Sequence, residues 1–209
     1  AENFYPLLGT SESACAQRLT AYYVEDFPKL QSLTQQKPEA QDLILWCRSQ
    51  GFNLAIATNP LFPETATRQR ISWAGLNPDD FGYFSTYDNF HFTKPNLEYY
   101  AESIGRLGWP EGPIVMVGDD IQLDLLPMER MGFHSFWVDP DRETMEREHG
   151  SLSDARAFLA GLQDSMPEQT LSHDPQVLMA VLRSTPAVLE SWLMLFDPGT
   201  LHNTPGKNQ

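Results

Sequence analysis

Hydrophobic positions change period along the middle of the chain, and the changes mark out elements. From Pro38 onward, Leu43, Trp46 and Cys47 share one helical face; Pro38 suits a first helical turn and Gly51 stands where a helix ends. Asn53-Leu54-Ala55-Ile56-Ala57-Thr58 is then a short apolar run, the pattern of a strand buried on both faces. A helix is predicted from about Pro63 to Ala74, closed by Gly75, and Tyr83-Phe84-Ser85-Thr86 reads as a short strand. After Pro95, residues Leu97, Tyr100, Ala101, Ile104 and Leu107 trace another helical face that Gly108 ends. Ile114-Val115-Met116-Val117-Gly118 is the clearest buried strand. A helix from about Gln122 to Met131 follows, with Pro127 near its first turn and Gly132 closing it, and His134 to Val138 is the next strand.

Strands alternating with helices of about ten residues predict an α/β fold, a Rossmann-like parallel sheet with helices on both faces. The two ends differ from this middle. Residues 1–37 are helix-like, with Leu19, Tyr22 and Tyr23 near one face, and hold no buried-strand run. Beyond Asp139-Pro140 a polar linker leads to a helix from Ser153 to Leu162. From Asp174 to Phe196, Leu178, Val181, Leu182, Leu189, Trp192, Leu193 and Phe196 form an apolar stripe that Pro186 interrupts, before a tail rich in Pro, Gly and Asn. The expected organisation is an α/β core over 38–165, flanked by 1–37 and by a helical extension over 166–209 that can open a second domain.

Composition narrows the function classes. The 209 residues carry a net charge of -14, a field that repels nucleic-acid backbones yet leaves room for a local anion site. No apolar run approaches the ~18 residues of a membrane span. Cys15 and Cys47 lack metal-ligand spacing and are too few for a disulfide scaffold, which fits a cytoplasmic protein with reduced thiols. The expected partner is therefore a small molecule, with no nucleic acid and no membrane; the oligomeric state stays open. The first residue is Ala1 rather than Met, so a processed start or an internal piece of a longer protein is expected.

In a parallel sheet, ligands sit beyond the carboxyl ends of the strands. Thr58-Asn59 ends one strand, where a hydroxyl and backbone N–H groups can hold a phosphate oxygen; Thr-Asn-Pro is also an ordinary turn. Lys94-Pro95 precedes a helix, and its ammonium can neutralise a phosphoryl group, although surface lysines there are common. Gly118-Asp119-Asp120, with Asp124, follows the clearest strand. Carboxylates clustered in this way repel one another unless a cation sits among them, and hard oxygen ligands suit Mg²⁺, while Asp120 alone can be a helix cap.

Taken in order, these segments resemble the second, third and fourth motifs of the haloacid dehalogenase-like hydrolase superfamily. The matching stretches are Leu54 to Pro60, Phe92 to Tyr100, and Val115 to Asp124, within a resemblance covering about residues 38 to 140. It implies a magnesium-dependent phosphatase of a small phosphorylated metabolite, working through an aspartyl-phosphate. Thr58 and the Asn59 N–H would hold the phosphoryl group, and Lys94 would stabilise the nucleophile and the developing charge. Asp119 would ligate Mg²⁺ with Asp124 supporting that shell; Asp120 can contribute, though the family does not require an acid there.

One departure stands out. The family begins with a strand ending in Asp-x-Asp, whose first Asp attacks phosphorus and whose second acts as acid and base. Nothing before Thr58 matches, since Glu2, Glu12, Glu25 and Asp26 follow no apolar strand. Residues 1–37 then resemble the end of the family's helical cap. The nucleophile is expected upstream, and the central strand that carries it is expected to be missing from the sheet. The rivals are a non-catalytic binding module and a haloacid dehalogenase on the same fold. A receiver domain places its acidic pair first and Lys-Pro last, the reverse of the order here. Residues from about 174 loosely resemble the first helix and Pro-Gly loop of DinB-like four-helix bundles, the alternative being an accessory helix packed on the core.

Overall fold

The computed structural model describes residues 4–139, 147–165 and 169–193. In chain order the regular elements are α1 (Phe4–Leu7), α2 (Glu12–Ala21), α3 (Pro38–Ser49), β1 (Ala55–Ile56), α4 (Glu64–Trp73), β2 (Tyr83–Phe84), α5 (Leu97–Arg106), β3 (Val115–Gly118), α6 (Leu126–Met131), β4 (His134–Val138), β5 (His149–Gly150), α7 (Leu152–Ser165) and α8 (Pro175–Leu193). All strand pairs are parallel: β1 with β2, and β3 with β4 and then β5.

The two sets of strands form one layer, because they share the clusters above and below them. On one face Leu54 of the β1 run and Val115 and Val117 of β3 pack under Leu43 and Cys47 of α3 and Ala155 and Leu159 of α7. On the other, Ala57, Ile114 and Met116 lie under Tyr99, Tyr100 and Ile104 of α5, Met128 and Met131 of α6, and Val177 of α8. Helices therefore cover both faces, as the alternating pattern predicts.

Among the described residues the layer is open between β1 and β3, for the two strands do not pair. In a parallel ladder a residue's N–H and C=O point to the same side, and successive residues alternate sides. Ser85 N–H donates to Ile56 C=O, and His134 N–H to Ile114 C=O, so the even-numbered residues of both strands face β2 and β4. The N–H and C=O groups of Ala55, Ala57, Val115 and Val117 must then face the lane. Residues 4–37 are helical or turn-like among the described residues and send no strand into it. Both strands are only half-buried throughout, not buried on both faces as their apolar sequences predict. An open flank exposes even a strand whose two faces are covered.

Several predicted elements change at their ends. The run 53–58 contributes only Ala55–Ile56 to a ladder, and the run 83–86 only Tyr83–Phe84. The helix expected from Gln122 begins instead as a π turn over Ile121–Leu125, and α6 starts after it with Pro127 in its first turn. Helix α8 runs through Pro186 without a break. The carbonyl that Pro186 leaves unpaired belongs to Leu182, which is 65% exposed, so water can serve it. The apolar stripe of α8 also faces outward: Leu178, Leu182, Leu189 and Trp192 are all exposed, while Val177, Ala180, Ser184, Ala187 and Val188 are buried. The expected Pro-Gly loop and tail lie outside the described residues, as do Pro140 and Phe196.

At the N-terminal end, Phe27 anchors the helical segment. It packs with Ala66 and Trp73 of α4 and with Phe62 and Tyr23. Gln169 closes the start of β3 in place of a strand residue. Its side-chain amide accepts from Ile114 N–H at 2.6 Å and donates to Ile114 C=O at 2.9 Å. Among the described residues no helix is long and apolar enough to cross a membrane.

Candidate active site

The β1 run ends at Thr58, whose carbonyl is held by two side chains. Ser85 Oγ lies 2.5 Å from it and donates, Tyr99 OH donates at 2.8 Å, and the two hydroxyls are 2.8 Å apart. Ser85 and Tyr99 are fully buried. Burial pushes the Tyr99 phenol well above its ordinary range, so it keeps its proton and donates. The next peptide N–H, of Asn59, meets no acceptor among the described residues, and Asn59 Oδ1 and Thr86 Oγ1 are buried without partners.

Lys94 reaches the site from a tightly tied loop. Asn89 Oδ1 accepts from Thr86 N–H at 2.8 Å, and Asn89 Nδ2 donates to Phe84 C=O at 3.2 Å. The fully buried Glu102 accepts from His91 N–H at 3.1 Å, lies 3.0 Å from His91 Nδ1, and pairs with Arg106 at 2.9 Å. Arg106 in turn donates to Asn89 C=O. With the loop fixed, the Lys94 ammonium lies 2.5 Å from Asp124 Oδ1, the two side chains being 8% and 11% exposed. It also stands 5.8 Å from the centre of the Tyr99 ring, within cation–π range.

Asp124 has both oxygens engaged, since Oδ2 accepts from Asp120 N–H at 3.2 Å. Its carboxylate lies so close to Gly118 that a Cβ there would fall 2.5 Å from it. Any larger residue at 118 would push the carboxylate away from Lys94. Asp120 is a helix cap, its Oδ1 accepting from Gln122 and Leu123 N–H at 2.9 Å. Asp119 is exposed, and its backbone carbonyl accepts from Trp137 Nε1 at 3.1 Å.

The structure thus joins Thr58, Lys94 and Asp124 into one connected unit through Tyr99, with Asp119 and Asp120 beside it on the loop after β3. Asp124 serves as the counter-ion of Lys94. Among the described residues no group of three His, Cys, Asp or Glu side chains could hold a metal. Asp119 fits a single oxygen ligand of a hard cation that takes its remaining ligands from water and substrate. The unspent Asn59 N–H and the Lys94 ammonium suit an anion of phosphate size, which the exposed Asp119 carboxylate would repel unless a cation lay between them. Sequence reasoning missed Ser85, Tyr99 and Glu102. The available signal was local: a tyrosine or carboxylate on the covered side of a helix must find a partner when buried.

The family profile of the haloacid dehalogenase-like hydrolases matches residues 6–132, more than half of the chain. A glyceraldehyde 3-phosphate phosphatase from Methanothermobacter thermautotrophicus is 24% identical over 118 residues, which cover 56% of this chain. The chain spans about half the length of that curated relative, 51% of it being matched. Among solved structures, a HAD phosphatase from Thermococcus onnurineus superposes with a TM-score of 0.55 at 22% identity, covering 77% of this chain and 86% of that one. An uncharacterised protein from Listeria monocytogenes serotype 4b superposes with a TM-score of 0.50 at 18% identity, covering 61% and 81%.

Proposed function

The chain belongs to the haloacid dehalogenase-like hydrolases, and on that premise we propose that it is the core of a magnesium-dependent phosphatase of a small phosphorylated metabolite. The nucleophilic carboxylate, on this reading, arrives on a strand from outside residues 4–193 that fills the lane between β1 and β3. The lane carries the proposal. Among the described residues it presents unpaired backbone on both sides, and it has Thr58 at the end of one flank and Gly118-Asp119 at the end of the other. A strand seated there would end beside Lys94.

In that arrangement the Thr58 hydroxyl and the Asn59 N–H donate to phosphoryl oxygens. Lys94, held by Asp124, screens the charge between the incoming carboxylate and the phosphoryl group, so that two anions can approach. The carboxylate attacks phosphorus and the leaving alkoxide takes a proton from the second acid of the Asp-x-Asp pair. Water then attacks the aspartyl-phosphate, giving its proton to that same acid and releasing phosphate. Asp119 would hold Mg²⁺, whose role when bound is to neutralise phosphoryl charge. The small-metabolite class draws support from the distant relative named for glyceraldehyde 3-phosphate.

Hydrolysis of p-nitrophenyl phosphate tests the reading. The 209-residue chain should be inactive and should bind Mg²⁺ more weakly than micromolar by titration calorimetry. A longer product that adds an apolar strand ending in Asp-x-Asp should be active, should lose activity to chelator, and should lose it again when the first Asp becomes Asn. Turnover by the 209-residue chain itself would overturn the proposal. A longer product whose lane strand lacks the carboxylate would make the protein a binding module, and chelator-resistant cleavage of haloacids would make it a dehalogenase.

A further inference from the structure

The triangle of Thr58, Ser85 and Tyr99 holds three oxygens within hydrogen-bond distance, yet its two hydroxyls own only two protons. The contacts are Ser85 Oγ to Thr58 O at 2.5 Å, Tyr99 OH to Thr58 O at 2.8 Å, and Ser85 Oγ to Tyr99 OH at 2.8 Å. Ser85 and Tyr99 are fully buried, so water cannot supply a third. The remaining contact of Ser85, to Ile56 C=O, is long at 3.4 Å. The Thr58 carbonyl is the nearer acceptor for both hydroxyls, so the protons are drawn to it rather than to Ile56. That carbonyl is therefore drawn toward β2 and α5.

A trans peptide is planar, with its N–H antiparallel to its C=O. Fixing the Thr58 carbonyl toward α5 thus fixes the Asn59 N–H in the opposite direction, and that N–H has no acceptor among the described residues. The face of the same Tyr99 ring supports the Lys94 ammonium. One side chain therefore sets the direction of an unspent backbone donor with its hydroxyl and supports the cation beside it with its ring.

We propose that Tyr99, assisted by Ser85, is a positioning residue for the phosphoryl group: it orients the Thr58–Asn59 peptide so that the Asn59 N–H and the Lys94 ammonium face the same anion. The inference rests on the phosphatase reading for the identity of that anion. It goes beyond that reading by assigning a function to a residue that touches no substrate.

The test uses the whole chain, inorganic phosphate as probe, and NMR of the Asn59 amide and the Thr58 carbonyl carbon. In the parent chain, phosphate should move the Asn59 amide resonance saturably. Tyr99→Phe keeps the ring under Lys94 and removes only the hydroxyl. It should shift the Thr58 carbonyl resonance and weaken phosphate binding about threefold; with Ser85→Ala added, the loss should reach about tenfold, the scale of one hydrogen bond. If the double variant does not fold, Tyr99→Phe alone decides. Unchanged affinity and an unchanged Asn59 response in the folded variants would overturn the inference. Lys94→Ala separates the two readings. If it abolishes phosphate binding while the hydroxyl variants do not weaken it, the positioning role falls and the phosphate site stands. If phosphate leaves the Asn59 amide of the parent chain unmoved, both fall.

Discussion

Asp124 meets Lys94 at a distance where removing either partner leaves the other as a nearly buried, uncompensated charge. Breaking such a pair costs about 3–5 kcal/mol. The Asp124→Ala chain should lose an amount in that range, because Lys94 is only 8% exposed. Urea unfolding measures it, and a loss under about 1 kcal/mol would mean that the pair is loosely held. A second residue gives a pH signature. Burial pushes the Cys47 thiol from its ordinary 9.0 up to about 11, against a smaller opposing pull from Arg156. Between those values the unfolded chain has lost the thiol proton and the folded chain keeps it. The unfolded state then binds fewer protons, so stability falls as pH rises from 9 toward 11 and levels off above. The Cys47→Ala chain should lack that decline. At neutral pH a thiol reagent should label Cys15 in the folded chain and Cys47 only on unfolding. At this scale the sequence could name Thr58 and Asp119 as candidates from strand ends, and Lys94 from its place before a helix. It hid the pairing of Lys94 with Asp124, which depends on how a loop and a π turn 30 residues apart are brought together.

Among the elements, continuous apolar runs were readable and contact-defined ones were not. His134–Val138 forms β4 with the predicted bounds, its three central residues buried. β5 consists of His149–Gly150, two residues with no hydrophobic pattern, tied in where Trp137 N–H donates to Glu148 C=O. Helix α8 misleads in the opposite way, since its large apolar residues face out and its smaller ones face in. The reason lies on α5, where Gly105 lets the two helices approach closely. A Cβ at Gly105 would stand 2.5 Å from Val188 Cγ2, and valine has little rotamer freedom with which to withdraw. Gly105→Ala should therefore destabilise the chain by about 1–3 kcal/mol. Trimming the opposing residue in the same chain, Val188→Ala, should recover most of that loss. Additive losses in the double variant would show that the helices are not wedged at this point.

For the molecule as a whole, the α/β architecture and the parallel strands follow from alternating patterns, and among the described residues no strand lies between β1 and β3. What no pattern could reveal is how the rest of the layer would settle around the lane. β1 and β3 keep their own partners and share their covering helices, and each stays half-buried along the lane. Such edges are also templates for association. A row of unpaired N–H and C=O groups accepts any extended segment, including one from a neighbouring copy. The charge of -14 keeps copies apart at low ionic strength, but screening shortens the reach of that repulsion to about 8 Å in physiological salt. The isolated chain should therefore remain dispersed in dilute buffer and build scattering aggregates as salt is added. An excess of a short, soluble, strand-forming peptide should suppress the aggregates by occupying the edges first. If scattering is unaffected by both salt and peptide, the edges of the lane are already closed in solution.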